Sequence, residues 1–319
     1  MRAALVRGPG RISWVDTVAP SASSLPPNEV IVRPLVGGIC GSDLPYFTMA
    51  ETFDGESPPA GSPLHEIVGV VVASEDPSLR LGAHVVGWAG RNDGLAELVQ
   101  TPGSDLAEVK DFDLTHAIMA QPLACVLAAM ERLAAPCRGL HVAVLGLGPI
   151  GLLFAEIASH QGARQVTGVD PLARVEDPAQ FGVDTYISDT AEEWAAHVDD
   201  GEPPELVIEV VGHQRTTLGA ALHAVAPWGT VYYFGVPETR SYPISMAMML
   251  RKQLTLQAGT TARDRRRHLT SALQHLRAKP QLAQRLITDI YPVDEIESAF
   301  LHAANPAPGQ GKVVLEFPR

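Results

Sequence analysis

The chain has 319 residues, enough for about two domains of ordinary size, each with its own hydrophobic core. A net charge of −12 would repel nucleic acids and anionic membranes on average, so we expect small molecules as ligands. The one basic cluster, at 263–268, is expected to be a solvated or subunit-facing surface. Three cysteines without paired spacing favour a reducing compartment. With neither a signal-peptide core nor a membrane-spanning run, we expect a cytoplasmic protein.

The N-terminal part of the chain is predicted to be rich in β-strands. β-branched residues and Gly or Pro turn signals recur over four segments, 29–35, 66–74, 84–89 and 95–102. Between residues 113 and 254 strands alternate with helices, which is typical of α/β proteins with a doubly wound parallel sheet. We expect the two ends, 1–112 and 255–319, to form one β-rich domain, into which 113–254 is inserted as a second domain.

The stretch HVAVLGLGPIGLLFAEIA at 141–158 predicts a dinucleotide-binding unit. A buried parallel strand is followed by three glycines, which supply a tight turn, room for a pyrophosphate and close helix packing. The helix N-terminus that follows would point free N–H groups at the phosphates. The predicted cofactor-binding residues in and around this unit are Gly146, Gly148, Pro149, Ile150, Gly151, Val211 and Gly235.

A second predicted strand, 165–170, ends on Asp170, nineteen residues after Gly151. A carboxylate at this position accepts a hydrogen bond from the ribose 2′-hydroxyl and repels a 2′-phosphate. The sequence therefore predicts NAD(H) rather than NADP(H). Arg174 follows shortly afterwards, and the sequence leaves open whether its side chain lies over the adenine or faces solvent.

The β-rich part contains a second group of candidate residues, in GGICGSDLPYF at 37–47 and PLHEIVGVV at 63–71. The Cys40 thiolate, the His65 imidazole and the Glu66 carboxylate are all good ligands for Zn²⁺. A cysteine and a histidine twenty-five residues apart are, however, more often core residues than metal ligands. Spacing alone leaves both interpretations open.

The segments GICGSD, HEIVG and GLGPIG, in this order and at these separations, resemble the medium-chain dehydrogenase/reductase superfamily. Within it the chain is most similar to the zinc-dependent alcohol dehydrogenase family, in the branch of sorbitol and other polyol dehydrogenases. The resemblance extends over essentially the whole chain, including QPLACVL at 121–127 and RKQLTL at 251–256. It implies a Rossmann domain inserted in a GroES-like catalytic domain, and a homodimer or homotetramer.

The resemblance also implies a reaction, the NAD-dependent interconversion of a secondary alcohol and its ketone with one catalytic zinc. The alcohol would be a polyol, sugar, cyclitol or amino alcohol. Cys40 and His65 would ligate the zinc, and Glu66 would be a direct or alternating ligand. Ser42 would accept the substrate proton and Tyr46 would line the substrate pocket. Without the resemblance, a turn serine and a packing aromatic are the ordinary interpretations of Ser42 and Tyr46.

Four features depart from the family pattern. Gln121 stands where the polyol branch has a glutamate, so Gln121 or water would complete the zinc shell, with Cys125 as an alternative ligand. Leu64 replaces a glycine before His65. Pro45 replaces a histidine that conducts the proton to solvent. The lobe that carries a structural zinc in many relatives is absent, so no structural zinc is expected.

These departures leave two alternative functions open. If Gln121 has cost the site its metal, the protein would be a zinc-free NAD(P)H enone or quinone reductase of the same superfamily. If the site has decayed, it would be a non-catalytic NAD-binding protein. The presence of Cys40, Ser42, His65 and Glu66 together speaks against a decayed site.

Overall fold

The structure is a computed structural model that describes residues 1–49, 57–133, 136–198, 201–237, 239–260 and 262–318. The chain forms two compact units. The first comprises Met1–Ala124, Ala262–Pro306 and Gly311–Arg319, and the second comprises Cys125–Thr261 and Ala307–Gln310. Apart from the short return at Ala307–Gln310, the chain changes unit after Ala124 and after Thr261, whereas the sequence pattern changed after residues 112 and 254.

The first unit is built on strands that pair antiparallel, except for one parallel pair at the edge of its sheet. In its described part the strands are β1 (Arg2–Gly8), β2 (Arg11–Asp16), β3 (Glu29–Gly38), β4 (Glu66–Ser74), β5 (His84–Trp88), β6 (Val99–Pro102), β7 (Leu106–Glu108), β14 (Ile287–Pro292) and β15 (Lys312–Glu316). β1 and β2 form a hairpin. The others form a seven-stranded sheet in the order β14-β15-β3-β4-β5-β7, with β6 paired to β3. Its helices are α1 (Leu44–Met49), α2 (Leu114–Ala117), the first turn of α3 (Ala120–Glu131), α8 (Arg265–Ala278), α9 (Pro280–Leu286) and α10 (Ile296–Ala304).

The register of the central strand β3 brings distant parts of the chain together. On one side β4 pairs antiparallel and places Glu66 opposite Gly38. On the other side β15 pairs antiparallel and places Val314 opposite Gly38. β-branched side chains suit this half-buried pleated surface, and buried valines and isoleucines form much of its core. As a result, β4 and β15 both begin at the end of the sheet where β3 finishes.

The second unit is a doubly wound parallel sheet, as predicted. Its strands are β8 (His141–Leu145), β9 (Gln165–Val169), β10 (Thr185–Ile187), β11 (Leu206–Glu209), β12 (Thr230–Tyr233) and β13 (Thr255–Ala258), in the order β10-β9-β8-β11-β12-β13. The helices that follow strands of this unit are α4 (Pro149–His160), α5 (Ala191–His197), α6 (Thr217–Ala224) and α7 (Met246–Lys252). Every residue of β8 and β11 is buried, because central parallel strands have helices on both faces.

The basic cluster at 263–268 is not simply the solvated surface that the sequence predicted. Arg265 donates to Asp105 over 2.6 Å and its guanidinium lies 4.8 Å from the centre of the Trp88 ring. Arg266 donates to Asp76 over 2.7 Å and to the Leu106 carbonyl over 3.0 Å. The expectation was wrong for these two arginines, because partners far away in the sequence turn them into links between α8 and the sheet of the first unit.

One helical stretch, Leu114–Glu131, is long and apolar enough to cross a membrane by length and composition, with a mean hydropathy of 1.3. However, 67% of it is buried inside the protein. A core helix of a folded domain passes the same test, so the stretch is weak evidence for a membrane span.

Candidate active site

The candidate metal centre lies where β3 ends and β4 begins. Cys40 follows β3, His65 precedes β4, and Glu66 is the first residue of β4. Because Gly38 pairs with Glu66, the end of one strand lies against the start of the next. The ligand atoms of Cys40, His65 and Glu66 all lie within 4.8 Å of one another. The structure thus brings together the three residues that the sequence singled out as zinc ligands.

Asp43 connects two of these ligands and was not predicted. Its Oδ1 accepts a hydrogen bond from His65 Nδ1 over 2.8 Å, and its Oδ2 accepts one from the Cys40 backbone N–H over 2.9 Å. With Nδ1 donating to Asp43, the Nε2 atom of His65 is the nitrogen left to bind a metal. Burial alone would lower the pKa of His65, but the charge and hydrogen bond of Asp43, with a contribution from Cys40, hold this pKa well above its usual value.

Lys312 is the second unpredicted neighbour of the site. Its Nζ donates to Glu66 Oε1 over 2.6 Å, and the two side chains are 5% and 0% exposed. Burial alone would lower the pKa of Lys312, but the charges of Glu66 and Cys40 outweigh this effect and raise it. The buried carboxylate therefore has a charged partner, as buried charges require.

The other carboxylate oxygen of Glu66 fits a metal ligand. Among the described residues, Oε2 is buried and has no hydrogen-bond partner. Buried polar atoms are nearly always paired, so an unpartnered one beside a thiol and an imidazole is the arrangement expected of a metal site. Gly38 leaves room for this oxygen, since a Cβ there would lie only 2.4 Å from Oε2. The donor set S, N, O suits Zn²⁺.

Leu64 and Pro45, which depart from the family pattern, and the predicted site residues Ser42 and Tyr46 all lie close to the cluster in the sequence. Leu64 is fully buried, and its Cδ2 would lie 2.6 Å from a Cβ on Gly37, so the glycine at 37 makes room for the leucine. Ser42 lies partly exposed in the turn after Cys40. Pro45 and Tyr46 lie in α1, both partly buried. The roles of Ser42 and Tyr46 stay predictions.

Gln121 is buried, with 1% exposure, in the first turn of α3. Ile118 stands three residues before Gln121. Its Cγ1 would lie 3.0 Å from a Cβ on Gly38, and Gly38 is the residue of β3 that pairs with Glu66. The C-cap residue of α2 is thus packed against Gly38, and coordination of a metal by Gln121 stays a prediction. Cys125 is not part of the His, Cys and carboxylate cluster found among the described residues.

The second unit carries the predicted nucleotide turn between β8 and α4. Gly146 has a φ of +89°, a left-handed conformation that glycine adopts without strain. A Cβ on Gly151 would lie 1.8 Å from the Gly146 carbonyl oxygen, so the helix packs against the turn only with glycine at this position. A Cβ on Gly148, in contrast, would meet no atom within 4 Å. The space beside Gly148 and the N-terminus of α4, which begins at Pro149 and Ile150, fits a bound pyrophosphate.

The residues that follow β11 and β12, the two strands that come after β8 in the sheet order, lie along the same edge. Val211 lies against Gly146, with its Cγ2 3.0 Å from the place of a Cβ there, and a Cβ on Gly235 would lie 2.4 Å from the Gly212 nitrogen. Glu209, which was not predicted, holds this loop, because its Oε1 accepts hydrogen bonds from the Val211 and Gly212 N–H groups over 3.1 Å. Burial raises the pKa of Glu209.

Asp170 is buried, with 3% exposure, and its carboxylate already has protein partners. Oδ2 accepts hydrogen bonds from the Leu147 N–H over 2.8 Å and from Arg174 Nε over 3.2 Å, and Oδ1 accepts one from the Leu172 N–H over 2.8 Å. Arg174 therefore belongs to the turn that holds the predicted ribose-binding carboxylate, and its side chain is only 19% exposed.

The missed residues differ in how visible they are in the sequence. Asp43 stands inside GICGSD, three residues after Cys40, where an acidic partner for a histidine ligand could have been sought. Glu209 is an isolated acid at the end of an apolar strand pattern, which signals a paired buried carboxylate. Lys312 carries no local signal, because only the pairing of β15 with β3 brings it to Glu66.

Family models match both halves of this arrangement. Residues 26–111 match the model described as "Alcohol dehydrogenase GroES-like domain", and residues 149–277 match the one described as "Zinc-binding dehydrogenase". The first match contains Cys40, His65 and Glu66, and the second begins within the glycine turn.

Similar sequences come from bacteria and yeast. A probable zinc-binding alcohol dehydrogenase of Mycobacterium tuberculosis is 29% identical over 294 residues, which cover 80% of this chain and 73% of the relative. L-threonine 3-dehydrogenase of Bacillus licheniformis is 26% identical over 98% of both chains. D-xylulose reductase of Saccharomyces cerevisiae is 27% identical over 80% of this chain and 81% of the relative.

Solved structures share the fold over the full chain. The alcohol dehydrogenase of Thermus sp. ATN1 is 26% identical and superimposes with a TM-score of 0.80 over 100% of both chains. A zinc-binding dehydrogenase of Sinorhizobium meliloti, solved with NADP, has 23% identity and a TM-score of 0.79, over 99% of this chain and 98% of that one. An Escherichia coli alcohol dehydrogenase, solved with NADH, has 19% identity and a TM-score of 0.81 over 99% of both chains.

Proposed function

The chain belongs to the zinc-dependent alcohol dehydrogenase family of the medium-chain dehydrogenases/reductases, and we propose that it is a zinc-assisted, NAD(H)-dependent oxidoreductase that interconverts a secondary alcohol and its ketone. The observation that carries this proposal is the cluster of Cys40, His65 and Glu66, in which one carboxylate oxygen is buried without a protein partner among the described residues.

The residues around the cluster prepare it for a metal. When bound there, zinc would supply Lewis-acid chemistry at a substrate oxygen, and the nicotinamide nucleotide would supply the hydride acceptor or donor. Asp43 fixes the ring and tautomer of His65, and Lys312 holds one oxygen of Glu66 while the other stays available. Gln121 is proposed to complete the metal shell directly or through water.

Ser42 is proposed to take the proton of the substrate hydroxyl. Its position two residues after Cys40, partly exposed and in a turn, supports this role. Proline at 45 has no side-chain group that can carry a proton, so the cofactor ribose and solvent would receive the proton from Ser42. Tyr46, the residue after Pro45 in α1, is proposed to line the substrate pocket.

We propose NAD(H) as the main cofactor. Each carboxylate oxygen has two acceptor sites, and Oδ1 of Asp170 uses one of them for the Leu172 N–H. The remaining site of Oδ1 can accept a hydrogen bond from a ribose hydroxyl. The open space at Gly148 and the residues Val211 and Gly235 along the same edge support binding of the rest of the dinucleotide.

A polyol, sugar, cyclitol or amino alcohol is proposed as the substrate. The names of two relatives support this range, since D-xylulose is the ketone of a polyol and L-threonine is an amino alcohol with a secondary hydroxyl. The sequence of the pocket loops does not identify a single compound, so we propose a class of substrates.

The test combines metal analysis with a substrate panel. We expect one zinc per subunit by elemental analysis and alcohol-dependent reduction of NAD⁺ with at least one secondary alcohol of the panel. Cys40→Ser should remove the zinc and the activity and leave NADH binding intact, whereas Cys137→Ser, at a buried cysteine of the second unit, should retain the zinc. Full alcohol oxidation by a zinc-free wild-type protein would contradict the proposal.

We also propose that the subunits form a homodimer or homotetramer. Three large apolar side chains of the second unit are strongly exposed, Trp228 at 73%, Met246 at 70% and Leu250 at 79%. Met246 and Leu250 are one turn apart on α7, and the Trp228 N–H donates to the Lys252 carbonyl at the end of the same helix. Light scattering should show an oligomer that Leu250→Glu weakens, and a monomeric wild type would contradict this.

A further inference from the structure

We propose that the loop at residues 89–95, between β5 and β6, positions the metal ligand His65, and that Asn92 is the positioning residue that gives this loop its shape. This inference rests on the proposed function, because it concerns the same metal centre. It goes beyond that proposal by assigning the placement of a metal ligand to a loop that stands outside the ligand cluster.

Three backbone hydrogen bonds join the loop to the two residues in front of β4. The Ala89 N–H donates to the His65 carbonyl over 2.8 Å. The Leu64 N–H donates to the Asn92 carbonyl over 3.1 Å, and the Gly94 N–H donates to the Leu64 carbonyl over 2.8 Å. The loop therefore holds both polar backbone groups of Leu64 and the carbonyl of His65, and so fixes the backbone from which the imidazole projects.

The loop is itself anchored at both ends. At its end, the Leu95 N–H donates to the Gly61 carbonyl over 2.9 Å. Ala4 of β1 binds both of these residues, because its N–H donates to the Leu95 carbonyl over 2.8 Å and its carbonyl accepts from the Gly61 N–H over 2.6 Å. Near its beginning, the Gly90 N–H donates to the buried Thr101 hydroxyl over 3.2 Å. The loop is thus fixed firmly enough to position a neighbour.

The two segments approach each other closely. A Cβ on Gly94 would lie 2.7 Å from the Leu64 carbonyl oxygen, and a Cβ on Gly61 would lie 2.8 Å from the Asp93 carbonyl oxygen. The Leu64 side chain is 0% exposed. Leu64 replaces a glycine of the family pattern, and the loop stands where the lobe with the structural zinc is absent. The structure joins these two departures, so a shift of the loop moves Leu64 and with it His65.

Asn92 determines the shape of the loop through its backbone. Its φ is +57°, a left-handed conformation that asparagine tolerates and β-branched residues reject. Its N–H donates to the Ala89 carbonyl over 3.0 Å, which closes the turn, and its carbonyl is the acceptor for the Leu64 N–H. Because the Asn92 side chain is exposed, a substitution there changes the backbone preference and leaves the core intact.

The experiment measures the zinc affinity of the full chain by competition with a chelating dye. Asn92→Val should weaken zinc binding about ten- to a hundredfold, the range found when a partner that orients a metal ligand is lost. Asn92→Gly accepts the left-handed conformation and should keep the zinc affinity close to the wild-type value. The matched control is Asn28→Val, at another exposed asparagine of the same unit, with a φ of +65°. It should cost similar stability and leave the zinc affinity unchanged.

A second measurement separates positioning from a general loss of stability. The absorption bands of Co²⁺ bound in place of zinc depend on the geometry of the ligands. We expect these bands to shift in Asn92→Val and to stay at the wild-type positions in Asn92→Gly and Asn28→Val. NADH binding should be the same in all four proteins.

The outcomes separate this inference from the proposed function. A wild type that binds no zinc would overturn both. A wild-type zinc affinity and cobalt spectrum in Asn92→Val, or an equal loss of zinc affinity in Asn92→Gly or in Asn28→Val, would overturn the inference alone. If Asn92→Val does not fold, Asn92→Ala strains the turn less, and its comparison with Asn28→Ala decides in the same way.

Discussion

Lys312 Nζ donates to Glu66 Oε1 over 2.6 Å although the two residues are 246 positions apart in the chain. Both side chains are buried, so neither charge is compensated by water. The pair leaves Glu66 with one oxygen engaged and the other open towards the cysteine and histidine of the site. The lysine thus gives the buried carboxylate the charged partner that a buried charge requires.

Removing the lysine charge should destabilise the first unit. Breaking a buried ion pair at one side costs about 3–5 kcal/mol, so Lys312→Met should lower the free energy of unfolding of the zinc-free protein by that amount. Lys312→Met combined with Glu66→Gln should recover part of the loss. Urea unfolding measures both. The matched control is Lys110→Met, which breaks an exposed pair with Glu108 and should cost at most about 1 kcal/mol. A Lys312→Met protein as stable as wild type would show that the pair contributes nothing.

Asp43 should matter for zinc affinity. Loss of an acidic partner of a histidine ligand typically weakens metal binding about 10- to 100-fold, so we expect this range for Asp43→Asn. Competition with a chelating dye measures the zinc affinity. Asp294→Asn, at an exposed aspartate of the same unit, should bind zinc like wild type. If Asp43→Asn binds zinc as tightly as the control, the hydrogen bond to His65 does not organise the metal centre.

Substitution by alanine should affect a different property at each of two glycines in the nucleotide turn, the stability at Gly151 and the NADH affinity at Gly148. Gly151→Ala places a Cβ 1.8 Å from the Gly146 carbonyl oxygen, so we expect a loss of stability of about 3 kcal/mol or more. Gly148→Ala meets no atom within 4 Å and should leave the melting temperature unchanged, but it should weaken NADH binding because the methyl group enters the proposed pyrophosphate space. Tight NADH binding by Gly148→Ala would place the pyrophosphate elsewhere.

The second unit should lose stability in mild acid through His141. This residue is buried, with Nδ1 donating to the Glu202 carbonyl over 3.1 Å and Nε2 accepting from the Thr167 hydroxyl over 2.8 Å. Burial lowers the pKa of His141 below its ordinary value of about 6.5, and the bond to Glu202 opposes this only in part. The neutral ring therefore stabilises the fold fully above pH 6.5, and this contribution is lost as the pH falls from 6.5 through the folded-state pKa.

The measurement for His141 is the melting temperature between pH 7.5 and pH 5. Wild type should lose more stability over this interval than His141→Gln, which has no proton to gain. His160→Gln, at an exposed histidine at the end of α4, serves as the control and should follow wild type. Parallel curves for wild type and His141→Gln would assign the acid sensitivity to other groups.

Much of the fold could be predicted because its signals are local. The buried strand, glycine turn and helix at 141–158 and the acid at Asp170 lie within one short stretch, and the structure shows the parallel sheet that they indicated. The metal cluster could also be predicted from the sequence, since Cys40, His65 and Glu66 stand at the facing ends of two neighbouring strands. Its interpretation depended on the family resemblance, because the spacing of the residues alone did not favour a metal.

What escaped prediction depends on long-range packing. Lys312 reaches Glu66 only through the register of β15 on β3, and Arg266 reaches Asp76 only through the packing of α8. Neither contact leaves a periodic or motif signal in the sequence. Arg174 was noticed but could not be assigned, because its orientation is set by the turn around Asp170. Where a charged side chain has several possible partners, the tertiary structure determines which one it contacts.

The placement of β15 between β14 and β3 also has a consequence for the order of folding during synthesis. Translation at about 5–20 residues per second delivers Lys312 on the order of ten seconds or more after Glu66 has left the ribosome. Until then the end of β3 from Val36 to Gly38 lacks its partner strand β15, and the Glu66 carboxylate lacks its counter-ion. The strands of the parallel sheet in the second unit all lie between Glu66 and Lys312 in the sequence, so they are synthesised before the counter-ion of Glu66 is available.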